Sequence, residues 1–374
     1  MESSELRALL SLEGLRLLDS LPEWHSGTDV VRTVADLRKA GHPAELVTAV
    51  LAQARLRSRA RAKFGDFADR MLFTEAGLEQ ATRLPVAARH AGRFQQAGLR
   101  WIADLGCGIG ADAMALAAYN LAPWSNARVE HGIAEDTDLS GVDGVFLDPA
   151  RRDGARRLAD PADWSPSLTF GFDLARRLPV GMKLGPGIDR DLIPADAEAQ
   201  WISVDREVVE VGLWFGPLAR DGVRRAALVI GSHGAAELTA AADSPDVPVG
   251  DLGHYLYEPD GAVIRARLIG DLARSLSGRM IAPSIAYVTS DALHPTPFAT
   301  VFRVVESFPL DVKTLKRELA TRGIGTLEIK KRGVDIDPAA FRTSLNPRGD
   351  ASATLVLTRV GGARRALLVE RVGA

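Results

Sequence analysis

At 374 residues, 46% of them hydrophobic, the chain can bury a sizeable core, enough for about two or three domains. A net charge of -2 excludes a global polyelectrolyte pull, so any affinity for nucleic acid has to come from local patches. The single cysteine, Cys107, excludes a disulfide framework; with no basic leader and no long apolar run, the expectation is a cytoplasmic protein without signal peptide or membrane helix.

Leu6, Leu9, Leu10, Leu12 and Leu15 recur near helical spacing, and residues 5–64 read as helices broken at Pro22 and Gly27. Thr28 is the expected N-cap of a helix over 29–40, which Gly41-His42-Pro43 ends. The next helix, over 44–63, has Leu46, Val47, Val50, Leu51 and Ala54 on its apolar face. Its later half carries Arg55, Arg57, Arg59, Arg61 and Lys63 in alternation, which spreads the charge around the helix. That run reads either as a solvated helix end favoured by the dipole or as a surface for RNA phosphates. Thr74 is the expected cap of a short helix ahead of the first strand.

Residues 101–110, Trp101-Ile102-Ala103-Asp104-Leu105-Gly106-Cys107-Gly108-Ile109-Gly110, organise the rest. A short apolar strand passes an acidic residue, enters a Gly-x-Gly-x-Gly turn and opens a helix pattern at Ala111. Glycines there let the backbone approach a ligand closely, and the helix start adds free N–H groups and a positive dipole end. The spacing is not the G-x-G-x-x-G of a pyrophosphate cradle, and no Lys-Ser/Thr follows. A nucleoside or a carboxylate-bearing cofactor suits such a turn. Further on, Gly141 to Leu147 reads as a strand ending in Asp148-Pro149-Ala150-Arg151. A carboxylate at the C-terminal edge of a parallel strand points into the ligand crevice, so Asp104 and Asp148 frame one crevice.

The first motif resembles the D-x-G-x-G-x-G signature of class I S-adenosylmethionine-dependent methyltransferases. The Asp148 loop resembles the [D/N]-P-P-x loop of their nucleic-acid-modifying members. The resemblance implies that Asp104, Gly106, Cys107, Gly108, Gly110 and Asp148 contribute to cofactor binding. It also implies that Asp148 holds a target amine, with Pro149 and Arg151 completing the catalytic loop. Ala150 and Arg151 stand where amino-methylating relatives have a second proline and a base-stacking aromatic residue; stacking by Arg151 is the alternative. The arginines that follow, Arg151, Arg152, Arg156 and Arg157, are candidate contacts to a nucleic-acid substrate. Methylation at carbon-5 of a pyrimidine is disfavoured, because Cys107 lies in the cofactor turn.

One part of the pattern is missing. An acidic residue that binds ribose hydroxyls is expected roughly 20 residues past the glycine turn, at a strand end. Here that position falls at Pro123-Trp124-Ser125, and a β–α segment is absent near residues 118–119. Either the deletion is real or residues that belong there are lacking. If it is real, a strand near 128–133 pairs beside 101–105, and Glu135 or Asp136 serves the ribose.

After a helix over 168–178 come a strand at 180–184, a hairpin of 201–204 with 208–215, and a strand at 226–230. The composition shifts near 241–246, and a C-terminal α/β unit follows. Residues 311–374 hold 13 Lys/Arg against 7 Asp/Glu in a chain that is acidic overall, which favours a nucleic-acid-facing module. The runs Gly325–Asp335 and Ser352–Arg359 resemble bacterial methyltransferases with a THUMP-like C-terminal domain, implying RNA binding. Lys330, Lys331 and Arg332 are the candidate contacts, with an exposed, charge-protected edge strand as the plain alternative.

The expected fold is α/β: an N-terminal helical region (1–95), a Rossmann-like class I methyltransferase sheet (96–240) and a THUMP-like α+β module (250–374). The expected function is S-adenosylmethionine-dependent methylation of a base nitrogen in tRNA or rRNA. The alternatives are an RNA-binding protein on a scaffold with an impaired cofactor site, and a small-molecule methyltransferase. No metal is expected, since the seven histidines are scattered.

Overall fold

The computed structural model describes residues 3–25, 28–106, 119–150, 152–153, 156–158 and 160–373. Cys107, Gly108, Gly110 and Arg151 lie outside the described residues, as do the side chains of Arg152, Arg156 and Arg157. The chain divides into two compact units, Met1–Gly181 and Met182–Ala374.

The first unit opens with α1 (Ser3–Leu9), α2 (Leu12–Ser20), α3 (Val30–Lys39) and α4 (Ala44–Phe64). Leu6, Leu9, Leu17, Leu18, Leu46 and Val50 bury one another between α1, α2 and α4. Each such leucine contributes about 1.5–3 kcal/mol by leaving water. The cap of α3 is Asp29, whose carboxylate accepts from Arg32 N at 3.0 Å, and not Thr28, which instead accepts from His25 N at 2.9 Å. Asp one position on offers a carboxylate to the same free N–H groups and also favours the dipole.

The basic run of α4 is largely consumed inside this unit. Arg57 is buried, donating to Met71 O and Asp19; Arg59 pairs with Glu75; Arg61 pairs with Glu23 and Asp69. Lys63 Nζ reaches the carbonyls of Leu78, Glu79 and Ala81 at 2.7–2.8 Å. These carbonyls end α5 (Glu75–Gln80), so the lysine caps a helix rather than an RNA phosphate. Thr74 accepts from Gly77 N and starts α5 as expected.

Next, α6 (Leu84–Gln96) turns His90 and Phe94 onto Phe146 of the neighbouring strand. The link to β1 (Ile102–Leu105) is fixed by Asp143, which accepts from the backbone N–H groups of Arg100 and Trp101 at 2.9 and 3.0 Å. Those donors hold the Asp143 carboxyl below its ordinary value. β1 pairs in parallel with β2 (Gly144–Leu147), Asp104 opposite Phe146 and Leu105 opposite Leu147. The expected strand near 128–133 does not form: residues 127–133 have no strand assignment. Within Ala127–Gly132 only Val129 is a strand-favouring apolar residue, too little to bury a face. The loop after β2 makes a small hairpin, β3 (Arg152–Asp153) with β4 (Arg156–Arg157), and then α7 (Leu168–Ala175).

β5 (Val180–Leu184), which begins two residues before the second unit, β6 (Glu198–Val204), β7 (Glu207–Trp214), β8 (Arg225–Gly231) and β9 (Gly234–Ala240) run in the order β5-β7-β6-β8-β9. Asp205 and Arg206 both take positive φ, 49° and 71°, in the two-residue turn of the β6–β7 hairpin, where that backbone twist matches the strands. Every residue of β6 is buried, and the register of β6 with β8 is parallel. The β6–β7 hairpin is the one read from the sequence at 201–204 and 208–215.

A second sheet follows, built from β10 (Tyr255–Pro259), β11 (Arg279–Met280), β12 (Val288–Ser290), β13 (Ala299–Pro309), β14 (Ile324–Lys331), β15 (Ala351–Val360) and β16 (Ala363–Arg371). Its order is β11-β12-β10-β13-β16-β15-β14. Helices α8 (Gly261–Arg265) and α9 (Ile269–Ser275) are separate, because Arg267 breaks the run at φ 59°. Helices α10 (Val312–Thr321) and α11 (Pro338–Leu345) contribute Leu315, Leu319 and Leu345 to a core with Leu355, Leu357, Ala366 and Leu368. The alternate residues Val356, Leu367 and Val369 join Phe302 and Tyr287 in another core, as the two-residue period of a strand requires.

Candidate active site

Gly106 ends β1 with φ 106°, and a Cβ there would stand 2.7 Å from the carbonyl oxygen of Asp148 and 3.4 Å from Cδ of Pro166. Only glycine allows the ends of β1 and β2 to approach this closely. The amide of Asp148 donates to Leu105 O at 3.2 Å, continuing the ladder one step beyond β2. Asp148 is half-buried, Pro149 buried and Asp104 exposed. The two carboxylates therefore stand at adjacent strand ends, as the sequence spacing implies, within one unit.

The loop beyond Asp148 is closed by a second contact. Ala150 N donates to Ser165 O at 2.8 Å, and Ser165 N to Ala150 O at 3.3 Å. Between these residues the hairpin pairs Arg152 with Arg157 and Asp153 with Arg156. The Ala150–Ser165 bridge thus ties the start of the Asp-Pro loop to the residue three before α7.

Glu135 reaches the same rim. Its Oε1 accepts from Ser167 N at 3.3 Å, and Ser167 caps α7 by accepting from Phe170 N at 3.2 Å. Because Pro166 packs at Gly106, the Ser165–Ser167 segment joins Glu135 to the Asp104–Asp148 edge. Asp136 is exposed in the short turn Ala134–Asp136. The part played by Ser165-Pro166-Ser167 escaped the sequence reading. Its signal was a serine directly ahead of an apolar run, an N-cap pattern that fixes a loop as well as a helix.

In the C-terminal module the three candidate cations separate. Lys330 donates to Glu258 Oε2 at 2.8 Å, with its Nζ 5.9 Å from the centre of the Phe302 ring. The guanidinium of Arg332 lies 5.3 Å from the centre of the Tyr287 ring. Lys331 is exposed between them on the edge strand β14. Burial and the Glu258 carboxylate push the Tyr287 hydroxyl above its ordinary range, so it stays neutral in this setting. Among the described residues no group of His, Cys, Asp and Glu could hold a metal ion, and no helix is long and apolar enough to cross a membrane.

Over 333 residues, covering 82% of this chain and 91% of theirs, the chain is 33% identical to uncharacterized S-adenosylmethionine-dependent methyltransferases of Mycobacterium tuberculosis strains CDC 1551 and H37Rv. The chain belongs to the S-adenosylmethionine-dependent methyltransferases. Its cofactor is accordingly S-adenosylmethionine. Residues 299–371 match the THUMP domain-like family, and residues 2–60 match a domain of unknown function. The fold matches a crystal structure described as a candidate methyltransferase from Porphyromonas gingivalis W83, with TM-score 0.73 and 19% identity over 100% of both chains. A methyltransferase with a C-terminal THUMP-like domain is what the two sequence motifs implied.

Proposed function

We propose that this methyltransferase modifies a base nitrogen of RNA, of the tRNA or rRNA class, with Asp148 holding the target amine. The observation that carries the reading is the arginine hairpin seated on the Asp148 loop, closed by the Ala150–Ser165 bridge. A small metabolite needs no such basic arm, whereas a polynucleotide needs phosphate contacts that set its register. The net positive charge of the THUMP-like module supports the same substrate class. An RNA substrate places the work in the cytoplasm.

The close approach of Gly106 to the Asp148 carbonyl suits one end of S-adenosylmethionine, because it leaves backbone free of side chains where the glycine turn begins. Asp104, Gly106 and Asp148 would hold that end, followed in sequence by Cys107, Gly108 and Gly110. The bound cofactor supplies an electrophilic methyl group on a sulfonium. The protein's task is then position. The Asp148 carboxylate accepts a hydrogen bond from the amine, which turns the nitrogen lone pair toward the methyl, and Pro149 stiffens the backbone that presents it. Arg151, Arg152, Arg156 and Arg157 hold the flanking phosphates, and Lys331 gives the module an exposed cation.

The test is transfer of a labelled methyl group from S-adenosylmethionine into total RNA and, separately, into a small-metabolite extract. Label in RNA that Asp148→Asn abolishes supports the proposal. Label confined to small metabolites overturns it.

A further inference from the structure

In the second unit, arginines gather around one carboxylate at a place that belongs neither to the Asp148 loop nor to the THUMP-like residues 299–371. Asp243 follows β9. Both of its oxygens accept from Arg190 Nη2 at 2.7 Å, and Oδ1 also accepts from Arg225 Nε at 2.7 Å. Arg190 is held from two further sides. Its Nη1 donates to Arg265 O, and its guanidinium lies 5.4 Å from the centre of the Trp201 ring. Asp189, beside it in sequence, serves its own turn by accepting from Asp191 N at 3.1 Å. Arg274 reaches the same segment through Pro245 O and Ser244 Oγ, and its charge is offset by its pair with Asp271.

Arg267 completes the group. Its carbonyl accepts from Ser244 N at 2.9 Å, which fixes its backbone next to Asp243. It takes φ 59°, a region where non-glycine residues are uncommon and where asparagine, aspartate and histidine are the favoured exceptions. The backbone therefore gives no reason for an arginine at this position. Arg267 is exposed, and its side chain has no hydrogen-bond or ion-pair partner among the described residues. Three guanidiniums, those of Arg190, Arg225 and Arg267, thus stand against the single carboxylate of Asp243, a surplus of two positive charges. Burial, with repulsion from Arg225 and Arg267, holds the Arg190 guanidinium below its ordinary value although Asp243 lies against it. The carboxylate does not compensate the group.

Guanidiniums fixed by backbone carbonyls and a ring face are preorganised for a phosphate, which accepts several N–H bonds at once and brings the missing negative charge. Arg267 and Asp243 are exposed, so the phosphate arrives from solvent. Trp201 is buried beneath Arg190 and offers no free ring for a base to stack on. We propose that Arg190, Arg225 and Arg267 form a phosphate-binding site that docks the sugar–phosphate backbone of the RNA substrate without reading its bases. Contacts of this kind set the position of the nucleic acid and add affinity by releasing counterions. The assignment rests on the reading of RNA as the substrate.

The test is filter binding of labelled bulk tRNA to the full chain, from about 50 to 300 mM salt, with a contact that ignores sequence needing no defined target. Arg267→Gln should weaken binding about fivefold at about 0.1 M salt and reduce the salt slope by about 0.7–0.9, with the thermal melt unchanged. Arg267→Lys, which keeps the charge, should recover most of that slope. Arg176→Gln is the control: it removes an equally exposed charge from the first unit and should change binding by less than about 1.5-fold. Equal losses in Arg267→Gln and Arg176→Gln, or no loss in Arg267→Gln, would refute the site. Calorimetry with inorganic phosphate and with adenosine monophosphate should give no saturable heat. Saturable heat that Arg267→Gln removes, with tRNA binding intact, would make the occupant a small phosphate compound and overturn docking of RNA. Absence of tRNA binding by the unaltered chain at the lowest salt overturns the RNA reading and this site together. Methyl transfer into RNA whose KM Arg267→Gln leaves untouched overturns the docking site alone.

Discussion

Replacing Gly106 with alanine tests whether the close approach of the two strand ends builds the site. At φ 106° an L-residue is strained by about 1–3 kcal/mol. The added Cβ would also lie 2.7 Å from the Asp148 carbonyl oxygen and 3.2 Å from its carbon. Both are backbone atoms, tied by the Asp148 N to Leu105 O bond and by the Ala150–Ser165 bridge, so they cannot swing aside as a long side chain would. Relief requires the strand ends to part, which weakens hydrogen bonds worth about 0.5–1.5 kcal/mol each. The expected loss for Gly106→Ala is about 2–4 kcal/mol, read from the urea midpoint at unchanged slope and from faster amide exchange at Val145–Leu147. Gly92→Ala is the matched control. It lies within α6, a Cβ there meets nothing within 4 Å, and its φ is ordinary. That change should stabilise by up to about 1 kcal/mol through helix propensity. If Gly106→Ala costs less than about 0.5 kcal/mol, the strand ends yield freely and the argument for a rigid Gly106–Asp148 edge fails.

Lys330→Met and Lys331→Ala should separate structure from binding in the THUMP-like module. The first leaves Glu258, mostly buried, without its partner and should lower stability by about 1–3 kcal/mol, below the range for a wholly buried pair, with little change in RNA affinity. The second should leave thermal stability unchanged but reduce the salt dependence of RNA binding by about one phosphate contact, a slope read from filter binding across ionic strength. Asp148→Asn should lower single-turnover methyl transfer at saturating cofactor by about a hundredfold or more, with any loss of cofactor affinity read separately by calorimetry. Asp143 is held below its ordinary value by the N–H groups of Arg100 and Trp101, so its contribution to stability is present above the unfolded carboxylate range near about pH 4 and is lost as pH falls through the lower folded value. Thermal melts between about pH 2.5 and 5 should show a shallower acid slope for Asp143→Asn than for the unchanged chain; equal slopes would refute the assignment.

What could be read from the sequence were features whose cause is local. The Asp148 strand end follows from an apolar run closed by Asp-Pro, and the hairpin of β6 and β7 from two apolar runs with polar turn residues. The C-terminal strands follow from alternation that also put Leu355 and Val356 on opposite faces. What escaped was decided by partners distant in the chain. The arginines of α4 look free along the helix, yet Asp19, Glu23, Asp69 and Glu75 meet three of them from other segments. Lys330 and Arg332 flank Lys331 in sequence and look alike, but the strand period turns them toward Glu258 and Tyr287 and leaves Lys331 outside. β9, with its alanines and glutamate, has Thr239 as its one strand-favouring residue and forms because β8 offers a complete ladder from Arg225 to Gly231.

The stretch at 127–132 reverses that logic. A strand near 128–133 was expected because β1 needs a neighbour, but need on one side does not create propensity on the other. Ala127 to Gly132 has one β-branched residue and carries Arg128, Glu130 and His131, so pairing with β1 would bury Arg128 and Glu130 against an edge that offers them no described partner. The surface salt bridge between those two residues, with both side chains mostly in solvent, is what they form instead. An exposed pair of that kind is worth about 0–1 kcal/mol, so it does not organise the loop. Trp101 and Ile102 are exposed, and no described strand pairs with β1 on that side.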